Sequence, residues 1–84
     1  MTKIEMMQEL ENARKFSERN STTIVAMGNG QEIEWFHLDE KDAELMVEFD
    51  ADGNVISRKT PREYFAKRGF WVVSIFQNGH RVEA

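Results

Sequence analysis

Eighty-four residues without a cysteine bound this chain to one small domain held by packing alone, with no disulfide, no thiolate metal site and no cysteine nucleophile. Forty per cent hydrophobic residues, nine of all residues being aromatic, exclude a disordered chain. The net charge of −4 is split: residues 1–53 hold thirteen acidic side chains against five basic ones, and residues 54–84 hold six basic against two acidic. The start of the sequence carries acid early and no long apolar run, so neither a secretory leader nor a membrane span is expected, and a cytoplasmic location is.

Thr2 to about Asn20 reads as a helix, with Met6, Leu10, Ala13 and Ser17 on one stripe and most charges off it. Asn20-Ser21 stops it. The β-branched run that follows begins a strand over Thr22–Met27, and Gly28-Asn29-Gly30 turns it into Gln31–Leu38. Asp39–Asp42 is a polar connection, with a short helix through Glu44, Leu45 and Met46 as the alternative. Ala43–Asp50 alternates as a strand, with Leu45, Val47 and Phe49 on one face and Glu44, Glu48 and Asp50 on the other. Ala51–Asn54 turns the chain into Val55–Lys59.

Thr60-Pro61-Arg62-Glu63 is a helix start. The threonine can accept from first-turn amides, the proline has no amide to leave unpaired, and the glutamate can reach back to the cap. The helix runs through Lys67 and stops at Gly69. Phe70–Phe76 reads as a buried strand, and Asn78-Gly79 can fold His80–Val82 back as a short edge. The expected architecture is therefore a single α+β domain over 1–84: N-terminal helix, antiparallel meander of about four strands, short second helix, final strand (α-β-β-β-β-α-β).

Three features bear on function. Glu32 and Glu34 are two apart, so both point to one side of their strand; Glu44, Glu48 and Asp50 share a face of the next. If those strands are neighbours, five carboxylates line one patch, with Asp39, Glu40 and Asp42 at its end, suited to a cationic groove; the plain alternative is a solvated outer face. Arg58, Lys59, Arg62, Lys67 and Arg68 form a rival basic segment able to hold phosphates, with Tyr64 or Trp71 to stack on bases, although an overall acidic domain argues against nucleic acid. Doublets such as Trp35-Phe36 put a large ring on each side of a strand, so both faces of the sheet are covered or one ring is an anchor.

Other motifs carry less. Asp50-Ala51-Asp52-Gly53-Asn54 starts like a calcium loop, but the position needing a bidentate glutamate is Pro61, and a hairpin turn is the better reading. His37 and His80 lack a third partner, so no metal, cofactor or catalytic group is expected. The leading expectation is a small non-enzymatic interaction protein, an inhibitor or adaptor. It would dock Glu32, Glu34, Glu44, Glu48, Asp50 and Asp52, with Trp35 as apolar anchor, on a basic, nucleic-acid-handling surface of a partner protein and occlude it. Size, acidity and layout are shared with inhibitors carried by bacteriophages and other mobile elements, an analogy with no motif behind it. The alternatives are a nucleic-acid-binding regulator using segment 58–68, and a homodimer joining the acidic half of one subunit to the basic half of the other.

Overall fold

The computed structural model describes residues 1–39 and 46–83. The first helix, α1, is Lys3–Asn20. Thr2 caps it by accepting from the Glu5 amide, and the Glu5 carboxylate accepts in return from the Thr2 amide. That reciprocal pair satisfies two first-turn donors and holds the Glu5 carboxyl below its ordinary value. Ser21 ends the helix in the left-handed conformation, φ 48°.

Six strands follow: β1 (Thr23–Gly28), β2 (Ile33–His37), β3 (Met46–Phe49), β4 (Val55–Lys59), and, after the helix α2 (Pro61–Lys67), β5 (Trp71–Gln77) and β6 (His80–Glu83). The α+β class and the succession of elements agree with the sequence reading, and the short edge near His80 is a strand. The alternative of a helix near residue 44 lies outside the described residues. What differs is the sheet topology. One antiparallel sheet has the order β2-β1-β5-β6, and β3 and β4 pair with each other as a separate two-stranded sheet.

The reason for this order is visible in β1. Ile24, Val25, Ala26 and Met27 are all buried, so both faces of this strand need cover and it takes the interior of the sheet. Ile24 and Ala26 join Ala13, Ile33 and Phe76 under α1. Val25, Met27 and Ile75 form the opposite layer, with Phe36, Phe65 and Phe70 packed against it. A bulge on β5, where Ala26 pairs with Ser74 and Met27 with Val72, shifts the alternation so that Val72 and Ile75 serve one layer and Phe76 the other. Both rings of the Trp35-Phe36 doublet are thus covered, Trp35 on the α1 side and Phe36 on the α2 side.

Helix α2 forms as its sequence dictates. The Thr60 hydroxyl accepts from the Glu63 amide, and Pro61 is the first residue. At the far end the Phe70 amide bonds to the Phe65 carbonyl and the Gly69 amide to that of Ala66, with Gly69 at φ 84°. This pair of bonds is the Schellman arrangement, and the accompanying apolar contact is Phe65 on Phe70, ring centroids 5.1 Å apart. Stacking of Phe65 on Phe36 at 5.8 Å then fixes α2 to the sheet.

Candidate functional site

The acidic strand residues separate into two environments. Glu32 immediately precedes β2 and Glu34 is its second residue; among the described residues β2 pairs only with β1 and is an edge. The Asn29 side chain shapes the preceding turn by accepting from the amides of Gln31 and Glu32, at 2.9 and 2.8 Å. The Glu34 carboxyl is pushed up from its ordinary value, first by burial and then by repulsion from Glu32 and Glu9. Among the described residues no cation pairs with Glu32, Glu34 or Glu9.

Glu9 enters this patch from α1. Its Oε2 accepts from the Trp35 indole Nε1 at 3.0 Å, while its Oε1 accepts from the Asn12 amide group at 3.4 Å. Trp35 is half-buried against Phe16, ring centroids 5.3 Å apart. It therefore offers part of its ring surface outward and orients a carboxylate. Beside it runs an open groove of about 600 Å³ between α1 and β2, lined by Asn12, Lys15, Phe16, Arg19, Asn20 and Trp35. No local spacing in the sequence joins Glu9 to residues 32–35, since the contact exists only because α1 docks across the sheet.

The proposed continuous patch does not form among the described residues, because β3 pairs with β4 and not with β2. Glu48 lies 3.8 Å from Lys59 Nζ and 3.7 Å from an Arg68 guanidinium nitrogen, so its charge is compensated within the molecule. Asp50 shapes its own hairpin: its Oδ1 accepts from the amides of Asp52 and Asn54, both at 2.9 Å. Those amides hold the carboxyl below its ordinary value, the Asn54 amide foremost. Segment 50–54 is thus a hairpin turn closed by one carboxylate. Asp52 is exposed at the tip, and Glu44 lies outside the described residues.

The basic segment is partly consumed in the same way. The Arg68 guanidinium sits 3.4 Å from the centre of the Tyr64 ring and donates to the Tyr64 carbonyl at 3.1 Å. Tyr64 also meets Phe65 edge-on at 5.2 Å, so its ring is engaged within the chain. The neighbouring Lys59 lowers the pKa of the Lys67 ammonium. Arg58, Arg62 and Trp71 stay exposed. Arg58 belongs to the outer face of the β3–β4 hairpin, across from Val47, so the five cations do not share one surface.

No protein-family model matches the chain, and no curated protein or solved structure is significantly similar to it. No helix among the described residues is long and apolar enough to cross a membrane.

Proposed function

We propose that this chain is a non-enzymatic interaction protein, an inhibitor or adaptor, whose acidic sheet edge docks on a cationic, nucleic-acid-handling surface of a partner protein and occludes it. The surface is narrower than the sequence suggested: Glu32 just before β2 and Glu34 on it, joined by Glu9 and backed by Trp35. One observation carries this reading. Glu48 and Asp50 have partners in the molecule, whereas among the described residues no cation pairs with Glu32 or Glu34, and Glu34 is held above its ordinary pKa by burial first and by the neighbouring Glu32 and Glu9 second. An incoming lysine or arginine relieves what the fold leaves uncompensated. The edge position exposes the same residues to a partner.

The nucleic-acid reading draws less support, because Lys59 and Arg68 are engaged with Glu48 and Tyr64 is covered by Arg68. The test is capture of partners from a host lysate at about 0.1 M salt, with a nuclease-treated control, using the parent and a Glu32→Lys/Glu34→Lys variant. The expected outcome is one stoichiometric basic protein that survives nuclease and is lost with the variant. Retention of the same protein by the variant removes the β2 edge as the site. Recovery of nucleic-acid proteins that vanish with nuclease shifts the function to the basic segment.

A further inference from the structure

A cluster of exposed apolar side chains lies apart from the acidic edge, on the β3–β4 hairpin. In the β3–β4 hairpin, Glu48 pairs with Ser57, and Lys59 shares their face. That face is the inner one: Lys59 and Arg68 meet Glu48 there, and Ser57 is half-buried. The other face carries Val47, Phe49, Val55 and Ile56, which are 40, 61, 44 and 62% exposed. Val55 and Ile56 both contribute because Phe49 pairs with Val55 across a bulge that leaves Ile56 extra.

We propose that this outer face is a two-fold self-association surface, on which a second copy of the chain packs its own hairpin in antiparallel orientation. Two arguments select a second copy as the occupant. The first is charge. Arg58 stands at one end of the apolar strip, and Asp50 and Asp52 stand at the other, the hairpin tip. Among the described residues neither Arg58 nor Asp52 is ion-paired. A two-fold axis through the strip near Ile56 brings each Arg58 to the partner copy's tip carboxylates, so one surface complements itself twice.

The second argument is area. Four side chains at these exposures present apolar surface on the order of 400 Å² per copy, as much as the largest patch on a typical monomer. Stable interfaces cover about 800 Å² per partner, so the strip supplies the apolar half and the charged ends form the rim. That balance points to a reversible dimer in the micromolar range, roughly 1–100 μM. An isolated two-stranded hairpin is marginal in water, and covering its second face stabilises it.

The test is sedimentation equilibrium of the full chain from a few micromolar to several hundred, at low and high salt. A reversible monomer–dimer equilibrium that weakens with salt is expected. Phe49→Asp should raise the dissociation constant at least tenfold, with circular dichroism unchanged because Phe49 lies outside the core. Arg58→Glu and Asp52→Arg should each weaken the dimer several-fold, and the double variant should restore it. Since the chain has no cysteine, Ile56→Cys should also give a disulfide-linked dimer under mild oxidation. A monomer at every concentration overturns the proposal, as does a dimer indifferent to Phe49→Asp. Failure of the charge swap to restore affinity, or growth beyond the dimer, overturns the two-fold arrangement. Partner capture through Glu32 and Glu34 is separable, because Phe49→Asp leaves those residues in place.

Discussion

Removing one hydroxyl should cost this domain a large part of its stability. Ser17 is fully buried on α1, and its Oγ donates to the Thr22 carbonyl at 2.7 Å while accepting from the Gly79 amide at 3.1 Å. It ties the end of α1 both to the start of β1 and to the turn between β5 and β6, 62 residues away. In Ser17→Ala the Thr22 carbonyl keeps the Asn78 amide at 3.4 Å, so its loss is partial. The Gly79 amide is left without its acceptor. A lost hydrogen bond plus a partly buried unpaired donor amounts to roughly 2 kcal/mol. For a domain of this size that corresponds to a melting temperature lower by roughly 8–16 °C. Urea titration followed by circular dichroism measures it, with an unchanged slope showing that the effect lies in stability. Amide exchange at Gly79 should quicken in parallel. A midpoint shift equivalent to less than about 0.5 kcal/mol would refute the reasoning, because it would mean that water replaces the serine at no cost.

Gly79→Ala probes the same junction from the other side. The residue sits at φ 84°, and an added Cβ would lie 2.7 Å from the Glu18 Cβ, so a loss of about 3 kcal/mol is expected in the same urea assay. Thr60→Ala removes the α2 cap and should destabilise by about 1 kcal/mol, read by thermal melting. Glu34 has a raised folded-state pKa, so the fold binds its proton more tightly than the unfolded chain does. Its contribution therefore worsens as pH rises from its unfolded value through the raised one. Glu34→Gln should be more stable than the parent at neutral pH by roughly a few tenths of a kcal/mol, with the gap closing below about pH 4. An unchanged gap across that range counts against the raised pKa of Glu34.

Short-range physics is what the sequence by itself determined. A cap is a contact between residues three apart, so Thr60-Pro61-Arg62-Glu63 names its own helix start and Gly69 its end. The turns at Gly28–Gly30, Asp50–Asn54 and Asn78-Gly79 follow equally from local backbone preferences, and with them the α+β class and the order of elements. Strand partners are another matter. Any strand can offer its ladder to any other, and adjacency along the chain suggested a meander that the tertiary structure divides into two sheets. The burial of both faces of Ile24–Met27 makes β1 an interior strand and brings β5 beside it across more than forty intervening residues. The same docking joins Glu9 to Trp35 and Ser17 to Gly79, contacts with no local trace. Charge counts could register the acidic half of the chain but not which carboxylates would find a cation. Only the folded arrangement decides that, because Coulomb energy depends on distance in space, and there Glu48 meets Lys59 and Arg68 while Glu34 meets Glu32 and Glu9.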